Sequence, residues 1–331
     1  VIDRLLMIII CGYLLLTHRE DFCIEWFVYA QTVSYAIPCI IAFCIVLGKA
    51  RRFSFHFDLK FLLQIVKKTY PFALLSLLMS LYTRTDMVMI ERMLPDGAKQ
   101  AGIYAQSYRI LDAVSMFAYL FATLLLPMFA KMLKDQVPLG KFTKFSFLLL
   151  LSPVLVFVIG CCSYSTELMD LMYEESIDTS AKIFQVLIIG FIPISSSYIF
   201  GTLLTANNSM KVMNLMAAAG MICNIGFNAI FIPRYGAWGA AVVSVITQFF
   251  TGIIQIILSL KYFKFHIPYK DIAKMMVFIF INLLLFYFLK GVLFENWIYN
   301  VLILCIIGFA VAFVIRLIRV KDIVHILKSE D

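Results

Sequence analysis

The chain of 331 residues is 63% hydrophobic and only 15% charged. A soluble globular protein would be about half apolar and about one-quarter charged, so this composition excludes a soluble domain and indicates a polytopic membrane protein. The formal net charge of +8 does not point to nucleic acid, because the basic residues collect on one side of the predicted membrane spans.

Apolar stretches long enough, with their flanks, to cross a bilayer as helices of ~20 residues recur along the whole chain. The predicted spans are residues 5–17, 26–47, 70–94, 101–128, 145–162, 181–204, 212–232, 237–260, 275–289 and 297–318. The expected fold class is therefore all-α, a polytopic membrane helix bundle of about ten transmembrane helices. The first apolar stretch opens almost at Val1, without a basic segment or cleavage site, so we expect that an N-terminal part of the protein is missing.

One long segment, residues 49–68, is too polar to span the membrane. Its apolar residues recur at helical spacing between charged and polar ones, as in Leu59, Leu62, Leu63 and Val66 against Lys60, Gln64 and Lys67. This pattern predicts an amphipathic helix at the cytoplasmic surface, with its lysines near anionic headgroups. Such a segment would also serve as a linker between two helical lobes.

Lysine and arginine are concentrated in the connections on one side of the predicted membrane. The basic connections are residues 49–68, 131–144 and 261–274, followed by the tail after residue 316. The opposite side has few basic residues and includes an acidic loop, 163–180. By the positive-inside rule, the basic side is cytoplasmic.

The eight cysteines and four histidines do not form a recognisable metal site. There is no CxxC pair and no HExxH motif, so we expect no metal and no cofactor. The cysteines are best explained as small residues that face lipid or the helix core.

The sixth predicted span contains the run PISSSY, which begins at Pro193. Proline inside a helix leaves one carbonyl without its donor, and neighbouring hydroxyl groups can satisfy it, so a kink is expected here. A kink without any role in ligand binding is the simpler interpretation.

Four charged residues lie inside the third and fourth predicted spans, which a short turn at 95–100 connects. They are Arg84, Asp86, Arg109 and Asp112. At ~1.5 Å of rise per residue, they lie roughly 12–18 Å from that turn. Since the two helices are antiparallel, the depths allow Asp86 to meet Arg109 and Arg84 to meet Asp112. Tyr82 lies one turn from Asp86, and Tyr104 and Tyr108 flank the approach from outside.

Two interpretations of these charges remain open. A charge near the bilayer centre costs at least ~2.5–3.5 kcal/mol, so each one must face protein, a wet cavity or another charge. In the structural interpretation they are ion pairs that hold a hairpin together. In the functional one they line a cavity that binds an anionic headgroup or relays a proton or sodium ion.

Three segments resemble the polysaccharide-biosynthesis flippases of the multidrug/oligosaccharidyl-lipid/polysaccharide exporter superfamily. They are LYTRTDMVMI at 81–90, AGIYAQSYRI at 101–110 and IPRYGAWGAA at 232–241. In that family a polar patch ending in Asp, a short turn and a G-x-Y-x-x-A/S-x-R-like helix start open the C-terminal lobe. The glycine-rich third segment is similar to the entry of the family's twelfth helix.

The resemblance implies two six-helix lobes around a central cavity, with two further helices in many members. Residues 1–48 would then be the remnant of an N-terminal lobe, 49–69 the linker, 70–261 the C-terminal lobe, and 262–331 two extra helices with a basic tail. Arg84, Asp86, Arg109, Asp112, Tyr82 and Tyr108 would be the candidate substrate and cavity residues.

The resemblance also implies an activity, a location and partners. The protein would not be an enzyme, and would flip an undecaprenyl-diphosphate-linked oligosaccharide across the bacterial inner membrane by alternating access. Its expected partners are that lipid-linked oligosaccharide, membrane lipids, a coupling proton or sodium ion, and polysaccharide-assembly proteins. Nucleic acid is not among them.

Two alternative activities make different demands on the sequence. A drug/cation antiporter of the same superfamily would have a cavity dominated by acidic residues, whereas Arg84 and Arg109 balance the acids here. A membrane polysaccharide polymerase or ligase would favour a long outside loop with Arg and His. The longest outside loop, 163–180, contains neither.

Overall fold

The computed structural model describes residues 2–17, 24–49, 58–265 and 268–318. All regular secondary structure in these ranges is helical. The helices are α1 (Ile2–Thr17), α2 (Ile24–Lys49), α3 (Leu59–Met93), α4 (Gly97–Lys134), α5 (Gly140–Ser163), α6 (Ser165–Met172), α7 (Ile177–Ile189), α8 (Phe191–Ala206), α9 (Met210–Phe263), α10 (Tyr269–Leu289) and α11 (Trp297–Val314).

The predicted all-α membrane bundle is confirmed. Eight helical stretches of the described residues are long and apolar enough to cross a membrane, with α7 and α8 counted as one. The difference from about ten has two causes. Helix α1 has only 16 described residues, and α9, at 54 residues, contains the seventh and eighth predicted spans in one helix with a kink.

The chain divides into two compact units, residues 1–66 and 67–331. In the first unit α1 packs against α2, and the Ser34 hydroxyl donates a hydrogen bond to the Ala30 carbonyl at 2.7 Å. Residues 18–23 and 50–57 lie outside the described residues. The second unit contains all the predicted site residues.

Helix α3 begins earlier than the third predicted span. Its first turn is capped by Asp58, whose Oδ1 accepts the backbone N–H of Lys60 at 2.9 Å and of Phe61 at 3.3 Å. The helix then continues through Pro71 to Met93 without a break. Residues 59–69 of the predicted amphipathic segment are therefore the first ~3 turns of the spanning helix and not a separate element.

A tight turn joins α3 to α4 and sets the position of the charged residues on both. Gly97 is required in this turn, because a Cβ atom there would lie 2.1 Å from the Glu91 carbonyl oxygen. The two antiparallel helices are thus close together at the level of the turn. From there α4 packs against α7, α8 and α9 in the core of the second unit, where Tyr104, Leu111 and Phe184 are fully or almost fully buried.

The sixth predicted span, where a kink was expected, is interrupted at Gly190, where α7 ends and α8 begins. Pro193 cannot donate to the carbonyl of Ile189, so the helical ladder is interrupted at this point. Gly190 also allows α9 to come close, because a Cβ atom there would lie 2.2 Å from Oε1 of Gln248. A side chain at position 190 would therefore displace the side-chain amide of Gln248.

A second break lies inside α9, at Gly236, whose φ of 62° and ψ of −147° are not helical. This backbone conformation is essentially restricted to glycine. The kink separates a first half of α9, which carries Asn224 and Asn228, from a second half that runs to Phe263. Both halves have buried residues in the second unit, and the first half contributes to the site described below.

Helices α10 and α11 pack against α5. At the predicted outer end, Lys290 forms an ion pair with Glu167 at 3.2 Å and lies 4.8 Å from the ring centre of Tyr164. At the opposite end, Lys144 of α5 pairs with Asp271 of α10. The acidic loop 163–180 is more ordered than predicted, because it contains α6 and the start of α7.

The orientation can be tested by cysteine labelling. Because the basic connections should be cytoplasmic, an impermeant thiol reagent added outside intact cells should label a single cysteine placed at Glu174, between α6 and α7. It should spare one placed at Gln136, between α4 and α5. Both positions belong in a background whose native cysteines are replaced. The opposite labelling pattern would invert the assigned orientation.

Candidate functional site

Asp86 is the most deeply buried charged residue of the site, with no exposed surface. Its Oδ2 accepts a hydrogen bond from the Tyr104 hydroxyl at 2.9 Å, and its Oδ1 accepts one from Nδ2 of Asn228 at 2.7 Å. Neutral donors from α4 and α9 therefore surround Asp86, and the described residues provide it with no countercharge.

Arg84 lies in a different environment, although it is only two residues away. Its Nη2 is 2.9 Å from Oδ2 of Asp112, and the side chains of Arg84 and Asp112 are 57% and 48% exposed. The guanidinium carbon also lies 5.5 Å from the ring centre of Tyr108. Within a membrane span, side chains this exposed need a wet cavity or a ligand, because lipid would not accept them.

The depths of the charges in the membrane predicted two ion pairs. The Arg84–Asp112 pair is correct, and the Asp86–Arg109 pair is wrong. Arg84 and Asp112 form the expected ion pair. Asp86 does not meet Arg109, which is exposed and has no ion pair among the described residues. The physical reason is that residues at i and i+2 point to opposite sides of a helix, so Asp86 faces the core while Arg84 faces outward.

Tyrosines connect the buried and exposed parts of the site. Tyr104 and Tyr108 stack with ring centres 5.8 Å apart. Tyr104 contacts Asp86 and Tyr108 contacts Arg84, so the pair spans the boundary between core and surface. Tyr82, the remaining predicted residue, has a buried hydroxyl without a hydrogen-bond partner among the described residues.

The sequence reasoning missed the amides on α9. Asn224 and Asn228 are fully buried, and Nδ2 of Asn228 donates both to Asp86 and to Oδ1 of Asn224, at 3.0 Å for the latter. The sequence does contain a hint of this pair, because the i, i+4 spacing of two asparagines in an apolar helix places both polar side chains on one face. What they contact depends on tertiary packing, which the spacing does not reveal.

The site has two chemically distinct parts. The exposed part offers the Arg84 guanidinium group, which suits an anionic ligand such as a phosphate, and the Asp112 carboxylate that pairs with it. The buried part is one carboxylate among neutral donors, which suits binding of a proton or a single cation. The described residues contain no group of three or more His, Cys, Asp or Glu side chains close enough to hold a metal ion.

Comparison with known structures identifies the fold. The chain superposes on the lipid II flippase MurJ in its inward closed conformation with a TM-score of 0.72, covering 95% of this chain at 18% identity. It has a MurJ-like fold. Residues 1–133 match the family model described as polysaccharide biosynthesis protein.

A curated relative agrees with this assignment. The chain is 27% identical to the capsular polysaccharide biosynthesis protein CapF of Staphylococcus aureus, over 64% of this chain. Together the family model and this relative confirm a resemblance to polysaccharide-biosynthesis proteins, and the MurJ superposition confirms the fold. The chain with its MurJ-like fold spans 55% of the length of CapF and 66% of the length of MurJ.

Proposed function

We propose that this chain belongs to a flippase that moves a lipid-linked oligosaccharide across the bacterial cytoplasmic membrane. The carried molecule would be a glycan on undecaprenyl diphosphate, moved from the inner to the outer leaflet for surface polysaccharide export. The observation that carries this proposal is the presence of two exposed arginines, Arg84 and Arg109, in the spanning helices α3 and α4. The MurJ-like fold and the polysaccharide-biosynthesis family match support it.

The chemistry of the headgroup explains why arginine is suited to this task. A diphosphate that enters the membrane loses hydration, and a buried charge without a partner costs several kcal/mol or more. The planar guanidinium group binds two phosphate oxygens at once, in a geometry that lysine cannot match. Asp112 would hold Arg84 in place when no substrate is bound, and the diphosphate would then compete for the same guanidinium.

Asp86 is proposed as the coupling site of the transport cycle. A buried carboxylate among neutral donors can take up a proton or a cation, and its charge state then affects packing between α3, α4 and α9. A proton or cation that binds one of two conformations more tightly shifts the population towards that conformation. A proton or sodium gradient could thereby drive alternating access through Asp86.

The alternative activities are less well supported. For a drug/cation antiporter, the exposed part of the site would attract organic cations, but both Arg84 and Arg109 repel them. For a polysaccharide polymerase or ligase, the segment between α5 and α7 would have to supply catalytic groups. It is instead acidic and partly helical, and its Glu167 is engaged with Lys290.

The proposal predicts a specific defect when the full-length protein is depleted from its host. Surface polysaccharide should fall, and its undecaprenyl-diphosphate-linked repeat unit should accumulate in the membrane, because synthesis continues while flipping stops. Mass spectrometry of extracted lipids measures the intermediate. A loss of surface polysaccharide without this accumulation would point to an earlier step and contradict the proposal. Increased sensitivity to cationic drugs, with normal polysaccharide, would favour the antiporter.

A further inference from the structure

A narrow groove lies between α5 and α10, near the end of both helices that the positive-inside rule assigns to the cytoplasm. Its volume is about 140 Å³. None of its residues belongs to the site around Asp86 and Arg84. Its walls are apolar side chains of the two helices, namely Phe147, Leu148, Ile272, Met275, Met276 and Ile279.

The rim of this groove is exposed and its floor is buried. Ile272 and Met276 on the rim are 52% and 63% exposed, whereas Leu148 on the floor is 6% exposed. In a membrane-spanning helix, exposed apolar side chains contact the hydrocarbon of the bilayer. From Asp271 to Ile279 the groove follows α10 for ~12 Å. An acyl chain that runs parallel to α10 can therefore place its first methylene groups in the groove.

An ion pair closes the cytoplasmic end of the groove. Lys144 of α5 pairs with Asp271 of α10, and their side chains are 36% and 19% exposed. Lys141 lies one turn before Lys144 on the same side of α5, and Lys270 directly precedes Asp271. Both of these lysines are exposed, and neither has a carboxylate partner among the described residues. Asp271 thus neutralises Lys144 and leaves the two neighbouring lysines uncompensated.

A further lysine is fixed in position on the other side of α10. Nζ of Lys274 donates a hydrogen bond to the backbone carbonyl of Arg316 at 3.2 Å, at the end of α11. The cytoplasmic end of the groove therefore has four lysines against one aspartate, an excess of three positive charges. A long apolar groove that ends in such a basic cluster has the two properties of an anionic phospholipid, in matching order.

We propose that this groove binds one phospholipid with an anionic headgroup from the cytoplasmic leaflet. One acyl chain occupies the apolar groove, and the phosphate group lies among Lys141, Lys270 and Lys274. A zwitterionic phospholipid fits less well, because its own cationic group adds to the excess of positive charge. The bound lipid contacts both α5 and α10 and so stabilises their packing. The lipid site is independent of the proposed transport activity.

The experiment counts lipids retained by the full-length purified protein with native mass spectrometry. Phosphatidylglycerol is the anionic probe and phosphatidylethanolamine the zwitterionic one. We expect wild-type protein to retain one phosphatidylglycerol molecule at concentrations too low for phosphatidylethanolamine. In the double variant Lys141→Gln, Lys270→Gln, the affinity for phosphatidylglycerol should fall at least about tenfold, while that for phosphatidylethanolamine should not change. Both positions are exposed, so the variant should fold normally.

Two further variants place the lipid in the groove. Met276→Trp fills the groove from its exposed rim without changing any charge, so it should also weaken retention of phosphatidylglycerol. The matched control is the double variant Lys131→Gln, Lys134→Gln. It removes two exposed lysines from the same side of the membrane, at the end of α4 and outside the groove, and retention should stay at the wild-type level.

Four results would overturn the lipid site. Equal retention of the two phospholipids by wild-type protein would remove the preference for an anionic headgroup. An equal loss in the control variant would show diffuse attraction to a basic surface. Wild-type retention in Met276→Trp, or in the double variant at Lys141 and Lys270, would place the lipid elsewhere. Preferred retention of undecaprenyl phosphate over phosphatidylglycerol would assign the groove to the carrier of the transported glycan.

Discussion

Arg84→Ala should abolish export of the lipid-linked glycan while the protein still inserts and folds. The exposed side chain of Arg84 contributes little to stability, because an ion pair with about half of each side chain exposed is worth only ~0–1 kcal/mol. Its loss removes the fixed positive partner that offsets the lost hydration of a diphosphate. Export should be measured as surface polysaccharide and compared with the amount of protein in the membrane.

Two further substitutions separate substrate binding from a structural ion pair. Arg84→Lys should retain part of the export, because a point charge replaces a bidentate donor. The double change Arg84→Leu, Asp112→Leu removes both charges, so it should remain folded but inactive. Arg92→Ala, which removes an exposed arginine at the end of the same helix, is the control and should export normally. Full export by the double variant would show that the pair is only structural.

Asp86→Asn should uncouple transport from the ion gradient. The substitution preserves the size of the side chain, and its carbonyl oxygen can still accept from Tyr104 or Asn228. It removes the charge that binds a proton or cation, so gradient-driven transport should be lost while the protein level remains normal. Transport by the full-length protein should be compared with and without an imposed proton or sodium gradient.

The control for this substitution lies on the same helix. Glu91→Gln neutralises an exposed carboxylate one to two turns closer to the outside end of α3, and it should leave the gradient response intact. Tyr104→Phe removes one of the donors to Asp86 but not the carboxylate, so an intermediate loss is expected. A gradient response in Asp86→Asn equal to that of wild type would reject the coupling role.

The sequence was sufficient to predict the membrane bundle, because each span depends only on a local run of apolar residues. It also predicted the Arg84–Asp112 pair, for which equal depth on antiparallel helices was the deciding property. Depth in the membrane alone was not sufficient to predict the partner of Asp86. The direction of a side chain around the helix axis decides its partner, and Asp86 points to the buried face that carries Tyr104.

Other parts of the site depend on contacts that are distant in sequence. Asn228 reaches Asp86 across 142 residues of chain, so no local sequence pattern predicts this contact. The continuity of α3 was also missed. Charged and polar residues at 60–68 indicated a separate surface helix. The helix nevertheless continues past Pro71, which cannot itself donate a hydrogen bond, so the spanning helix begins at Leu59.

The central claim, that the protein moves a lipid-diphosphate-linked glycan, can be tested directly in proteoliposomes. The full-length protein is reconstituted with a fluorescent undecaprenyl-diphosphate glycan, and an external glycosidase reports how much glycan faces outward over time. We expect wild-type protein to make the inward-facing half of the glycan accessible. Vesicles with Arg84→Ala should match protein-free vesicles. Equal accessibility with and without wild-type protein would contradict the claim.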